Sequence, residues 1–312
     1  MTVSIPRPVQ GITELIGNTP LLRLDNLGLP SRTALYAKLE YWNPGGSVKD
    51  RAALLMIEGA ERTGALLEGD TIVEGTAGNM GLGIATAALN RGYRVVCVVP
   101  TKFSVEKQAL MRALGAEVVN TPREDGMLGA LKRAEELRRE LPRAVSLKQF
   151  ENIYNPEAHY RGTAPELYEA LDGHVDCFVA GAGSGGTFTG IARYLKERDL
   201  STRCVLADPV GSTIGGGAHG DYDIEGIGND FVPHTMDMSL VDQVVKVTDS
   251  DALSMVRTLA QREGVVVGTS SGAAVWAALE LARGLPARQG TTNIVTVLPD
   301  RGDRYFSKGL YE

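Results

Sequence analysis

Val179-Ala-Gly-Ala-Gly-Ser-Gly-Gly-Thr187 is the stretch on which the fold turns. An apolar run ends there in alternating glycines and hydroxyls, and a helical pattern follows at once. A strand that stops in a glycine-rich turn and restarts as a helix opens a β-α-β unit, and the N–H groups at the helix start can cradle a phosphate. The same order recurs along the chain. Strand-like runs occupy 36–40, 71–74, 94–99, 117–120, 175–180, 204–208, 243–247 and 293–298. Amphipathic helical patterns fill 52–62, 81–90, 105–114, 127–140, 156–171, 187–198, 251–263 and 272–283. This alternation predicts parallel sheets with helices on both faces. So many strands exceed one sheet of average size. The expected fold class is therefore α/β, with two three-layer αβα domains and mostly parallel sheets. A boundary falls near residue 150, where Phe150-Glu-Asn-Ile-Tyr-Asn-Pro156 reads as a loop before a fresh helix. A long aperiodic stretch runs from Gly215-Gly-Gly-Ala-His-Gly220 to near Pro233, a length that is unusual unless functional.

Composition mostly excludes. The chain has 312 residues, 43% hydrophobic and 22% charged, with a net charge of −6. Mild acidity without a basic stripe argues against nucleic acid. The sequence has no apolar run of membrane-spanning length and no targeting pattern. Cys97, Cys177 and Cys204 each lie in a strand-like run, which reads as reduced thiols in a cytoplasmic protein. The histidines have no metal-ligand spacing, so no metal is expected. Glycine is the outlier, at 37 residues, about 12% where roughly 7% is usual. Nineteen of the 37 fall in or beside the glycine-rich loops discussed here and in the aperiodic stretch from Gly215 on, so the surplus is local.

Three further loops carry chemistry. In Asn43-Pro-Gly-Gly-Ser-Val-Lys-Asp-Arg51, Lys49 opens a helix, where the dipole disfavours an ammonium. An amine there could titrate low enough to be a nucleophile; the plainer reading is a surface lysine paired with Asp50 or Glu58. Glu74-Gly-Thr-Ala-Gly-Asn-Met-Gly81 follows a strand and suits an anion, although Asn79 could simply cap the helix. Val267-Gly-Thr-Ser-Ser-Gly272 offers hydroxyls that could bind or cap. The first loop has a rival reading. Gly181, Gly183 and Gly186 match G-x-G-x-x-G, and Asp208 closes the next strand, as in a dinucleotide site of an NAD-dependent dehydrogenase.

Taken in order, a lysine after G-G-S, a T-x-G-N loop, a G-S-G-G-T cup and a late S-S-G turn resemble the cysteine synthase and cystathionine β-synthase family. Its members are pyridoxal-phosphate (PLP) enzymes of fold type II, similar in fold to the tryptophan synthase β chain. The resemblance runs from Leu15-Ile-Gly-Asn-Thr-Pro20 to Leu298-Pro-Asp-Arg-Gly-Asp-Arg-Tyr305. Between them lie Arg112-Ala-Leu-Gly-Ala-Glu117, Gln149 with Asn155-Pro156, and Glu225-Gly-Ile-Gly-Asn-Asp-Phe231. A PLP phosphate needs the same glycine cup, which removes the dinucleotide reading's distinctive support.

The resemblance implies a smaller mobile substrate-binding domain over 42–152 and a larger PLP-binding domain over 1–41 plus 153–312. It implies that Lys49 holds PLP as a Schiff base and then serves as general base, the one catalytic side chain. Asn79 would meet the ring oxygen, and Gly183, Ser184, Gly185, Gly186 and Thr187 the phosphate. Ser270 would face the ring nitrogen and keep it unprotonated. Thr76, Ala77, Asn79, Met80, Gln149 and Gly228 would surround the substrate. The implied reaction is β-replacement on O-acetyl-L-serine or serine through an aminoacrylate, with sulfide giving L-cysteine. The alternative acceptor is homocysteine, giving cystathionine, and Lys102-Phe-Ser-Val-Glu-Lys107 resembles the members that do this or both. A catalytically altered relative is the further reading. A cytoplasmic homodimer acting on amino acids and thiols is implied as well. Two residues depart from the family's T-S-G-N-T-G loop: Ala77 stands for serine, and Met80 for the second threonine. Losing that hydroxyl could cost a substrate carboxylate about 1–3 kcal/mol.

Overall fold

The computed structural model describes residues 8–286 and 289–312. Residues 1–7 of the expected larger domain lie outside the described residues. The chain enters through β1 (Leu21–Arg23) and β2 (Thr33–Leu39), then α1 (Lys49–Thr63). It continues through β3 (Thr71–Gly75), α2 (Asn79–Ala87), β4 (Arg94–Pro100), α3 (Val105–Ala113), β5 (Glu117–Thr121), α4 (Gly126–Glu140) and β6 (Ala144–Val145). A second series follows: α5 (Tyr154–Ala158), a π-helical turn His159–Thr163, α6 (Ala164–Glu169), β7 (Cys177–Gly181), α7 (Gly186–Arg198) and β8 (Arg203–Pro209). It closes with β9 (Gln243–Val247), α8 (Asp249–Glu263), α9 (Thr269–Gly284) and β10 (Thr292–Leu298).

These strands form a six-stranded sheet ordered β1-β2-β10-β7-β8-β9 and a four-stranded sheet ordered β5-β4-β3-β6. Every pairing is parallel except β1 with β2. Alternation along the strands explains the layers. In β7, Cys177 and Val179 join a core shared with α8 and α9, while Phe178 and Ala180 join one shared with α6 and α7. In β4, Val95, Cys97 and Val99 face α1 and α2, while Val96 and Val98 face α4. Each sheet is thus the middle of an α/β/α sandwich, as the sequence pattern predicts.

Strand order also locates the site. From β7 the chain winds outward to β8 and β9, but β10 returns on the other side of β7. From β3 it winds to β4 and β5, and β6 returns on the other side. Each sheet therefore has a switch point, where loops diverge at the carboxyl ends of the strands and leave a crevice. The loops at those two points are 182–185 and 76–78.

Several boundaries differ from the sequence reading. β1 and β6 have three and two residues, too short to show a period. The region expected as one helix over 156–171 starts at Tyr154 and passes through the π-helical turn. Pro156 sits in its first turn, where a missing N–H removes no intrahelical bond. The aperiodic stretch is present between Pro209 and the 3-10 turn Met238–Leu240.

A buried ionic cluster holds α1 against the larger sheet. Arg51 pairs with Glu40 at 2.7 Å and with Glu166 at 2.7 Å, and Lys38 pairs with Glu166 at 2.7 Å. Glu40 is fully buried. Removing one member leaves the others uncompensated, which costs about 3–5 kcal/mol. Arg51→Ala is therefore expected to lower the urea-unfolding free energy by about that amount. A loss below about 1 kcal/mol, the scale of an exposed pair, would show that the cluster does not anchor the helix.

Candidate active site

The two crevices merge into one cavity of about 760 Å³. Lys49 reaches it from the first turn of α1, which begins directly after the bridge between Ser47 and Asp300. No ion pair holds its amine among the described residues, so the pairing with Asp50 or Glu58 is not made. Asp50 instead accepts from the Gly45 N–H, and burial, working against that bond, pushes its carboxyl up to about 7. The Lys49 amine is pushed down to about 8, chiefly by burial, with the Asp300 carboxylate pulling it back up. Desolvation is thus the leading cause.

Opposite stands the turn after β7. Gly183, Ser184 and Thr187 line the cavity. Gly185, at φ +84°, is the N-cap of α7 and offers no side chain, so the first N–H groups of the helix lack a side-chain cap. The Ser184 hydroxyl accepts from Asn155 at 2.9 Å, which leaves its own proton to donate. Thr187 contacts the buried His159 ring at 3.2 Å, and that ring also meets Thr163 at 2.9 Å. Burial, together with the nearby Lys49 and Arg51 charges, pushes His159 well below its usual value and keeps it neutral. Gly185 and Gly186 do not line the cavity. A side chain at Gly185 would strike Met236, and one at Gly186 would strike Asn155.

Thr76, Ala77, Asn79, Met80 and Gln149 line the cavity from the small sheet. The Thr76 hydroxyl accepts from the N–H groups of Gly78 at 3.0 Å and Gly81 at 3.2 Å, so it too has a proton left to give. Gln149 is seated by Glu74, a buried carboxylate that accepts from the N–H groups of Leu147, Lys148 and Gln149. Its side-chain amide donates to the Gly75 carbonyl at 3.1 Å. Asn79 does not cap α2; its amide donates to Asp300 at 2.7 Å and accepts from Arg304 at 3.0 Å. Met80 is 2% exposed and belongs to the small sheet's core as much as to the cavity. Ser270 and Gly228 line the far side. Asp208, the acid a dinucleotide site would need, is fully buried, paired with Lys246 at 2.6 Å, and does not line the cavity.

These features suit PLP. An uncommitted, low-titrating amine meets an aldehyde, an uncapped helix start flanked by hydroxyl donors meets a phosphate, and the cavity-facing Ser270 hydroxyl can accommodate a neutral ring nitrogen. Sequence reasoning gave no role to Glu74, His159, Asp300 or Arg304. Glu74, Asp300 and Arg304 lie inside motifs that carried the resemblance, whereas His159 gave no signal beyond its place after Asn155-Pro156. In protein freed of cofactor, Lys49 should be modified by a small aldehyde at a rate that rises with pH to a midpoint near 8. An ordinary lysine would show its midpoint near 10.4, as model peptides do, and that outcome would remove the case for an activated amine.

The family described as pyridoxal-phosphate dependent enzyme matches residues 12–300. An O-acetylserine dependent cystathionine beta-synthase of Bacillus subtilis is 49% identical over 304 residues, 97% of this chain and 98% of that protein. A cysteine synthase of Helicobacter pylori is 45% identical over 300 residues, 96% of this chain and 97% of that one. The crystal structure of an O-acetylserine dependent cystathionine beta-synthase from Helicobacter pylori superposes with a TM-score of 0.94 at 43% identity, covering 98% of this chain and all of that one. No helix among the described residues is long and apolar enough to cross a membrane. Matched over nearly its whole length, the chain belongs to the pyridoxal-phosphate-dependent enzymes, in the branch that contains cysteine synthases and cystathionine β-synthases.

Proposed function

We propose that the enzyme performs β-replacement on O-acetyl-L-serine or serine, adding sulfide to make L-cysteine. The observation that carries this is the Lys49 amine, held near pKa 8 across one cavity from the uncapped start of α7. Lys49 would hold the PLP carbonyl carbon, and once released would take the substrate's α-proton and return it. Gly183, Ser184 and Thr187, with the N–H groups of Gly185 and Gly186, would hold the phosphate. Asn79 would meet the ring oxygen and Ser270 the ring nitrogen. Thr76, Ala77, Met80, Gln149 and Gly228 would surround the substrate, with the Thr76 proton directed to its carboxylate. When bound, PLP supplies an electron sink for the substrate's α-carbon, so that the β-substituent can leave.

A second acceptor, homocysteine, would give cystathionine. Two observations favour it: a cavity of about 760 Å³ has room beyond a serine-sized donor, and the relative sharing 49% identity carries that name. We further propose that residues 42–152 move as the smaller substrate-binding domain against 1–41 plus 153–312, and that the enzyme works as a cytoplasmic homodimer on small amino acids and thiols. The buried thiols of Cys97, Cys177 and Cys204 form no disulfide among the described residues, which suits a reducing compartment.

The test is spectroscopic. O-acetylserine and serine are added separately to the yellow holoenzyme, then sulfide or homocysteine, and the amino-acid product is identified. A spectral change with one donor, reversed by one acceptor with cysteine or cystathionine formed, is expected. A colourless protein, or a chromophore that survives in Lys49→Ala, would overturn the reading. Restoring the family's hydroxyl by Met80→Thr should lower KM for the donor about fivefold, the scale of one hydrogen bond. It should also lower the melting temperature, because a core side chain is shortened. An unchanged KM would show that position 80 does not face the substrate carboxylate.

A further inference from the structure

Asn79 carries a constraint that its own loop does not supply. Both ends of its side-chain amide are held by the segment after β10: Nδ2 donates to Asp300 Oδ2 at 2.7 Å, and Oδ1 accepts from Arg304 Nη1 at 3.0 Å. A carboxylate can only accept and a guanidinium can only donate, so the amide has one possible orientation. The two holders are themselves fixed. Asp300 is fully buried, its Oδ2 also accepts from Tyr305 at 2.6 Å, and its Oδ1 nests where Gly268 has no side chain. Arg304 is 5% exposed, donates to the Gly45 carbonyl, and its own carbonyl accepts from Ser104 at 2.6 Å.

We propose that Asp300 and Arg304 are positioning residues for the cofactor site, which clamp the Asn79 amide so that it presents one N–H donor to the cavity. With Oδ1 occupied by Arg304 and one Nδ2 proton taken by Asp300, the remaining Nδ2 proton is what Asn79 can offer. A donor fixed in this way selects an acceptor, such as an ionised ring oxygen, and pays little ordering entropy when that acceptor arrives. The same clamp couples the loop after β3 to the strand that ends between the Lys49 and Ser270 loops. This inference rests on the reading that Asn79 meets the cofactor.

The experiment is a double-mutant cycle on the holoenzyme. The single variants Asn79→Ala, Arg304→Lys and Asp300→Asn are compared with the doubles Asn79→Ala/Arg304→Lys and Asn79→Ala/Asp300→Asn. PLP dissociation constant, chromophore absorption maximum and melting temperature are read for each. Each single variant should weaken PLP about threefold to tenfold and shift the absorption maximum, as expected for one lost or misdirected hydrogen bond. The Asn79→Ala/Arg304→Lys double should be no worse than Asn79→Ala alone, because Arg304 reaches the cofactor through that amide, whereas the Asp300 double should fall further, since Asp300 also acts on Lys49. If Asn79→Ala alters neither PLP affinity nor the absorption maximum, the role given to Asn79 fails. If it alters them but the clamp variants leave them intact, or the Arg304→Lys loss adds independently in its double, the positioning role fails while that of Asn79 stands. Arg304→Lys retains the charge, so it also reports where a larger truncation would not fold.

Discussion

The Arg51 guanidinium is the fixture on which the rest of the site depends. It stands two residues after Lys49 on α1, a helix whose other contacts lie mainly with the small sheet. Its partners Glu40 and Glu166 come from the end of β2 and from α6, both packed with the large sheet. Apolar packing could bury this end of α1, but it would not fix the helix's rotation. Bidentate pairing does, since each carboxylate must meet the planar fork in register. A charged cluster is a costly way to join two layers. What it supplies here is direction, so that Lys49, two residues toward the N-terminus on that helix, enters the cavity.

Glycine plays a different part from the one its abundance suggests. The sequence reading places the surplus around a ligand, yet many of these positions are crowded by protein. A side chain at Gly83 would meet the Lys49 carbonyl at 2.9 Å, and one at Gly81 would press on Cys97, Met111 and Thr76 at 3.0 Å. α1 and α2 can approach closely because α2 is nearly bare on that face. The loops crowd one another in order to converge, and the cavity is the space that this convergence leaves.

How much was legible follows from the range of the signals. Alternation and helical period are local, so the sheets, their layers and the glycine turns could be read from the residues alone. The cofactor, and the roles proposed for Lys49, Asn79 and Ser270, came instead from the order of several motifs, each ambiguous by itself. Contacts between distant segments were not legible. Glu74 organises Gln149 across 75 positions of sequence, and Arg304 reaches Asn79 across 225. No periodicity marks such a pair, and only the folded chain brings them together. Met80 was visible as a departure, but not as the core residue that explains why a thioether fits there.

The two opposing influences on Lys49 belong to one design problem. A nucleophilic amine must be neutral to attack, so burial that lowers its proton affinity helps. In the role proposed for it, the same amine, once released, would hold and return a proton, and an amine depressed too far would hold it poorly. Burial supplies the depression, and Asp300 limits it, leaving the amine near 8. That carboxylate also holds the Asn79 amide at 2.7 Å. A buried charge would be expensive for either purpose alone. Serving both, from the point where Ser47 bridges the segment after β10, it links the amine's reactivity to the geometry of the residue proposed to meet the ring.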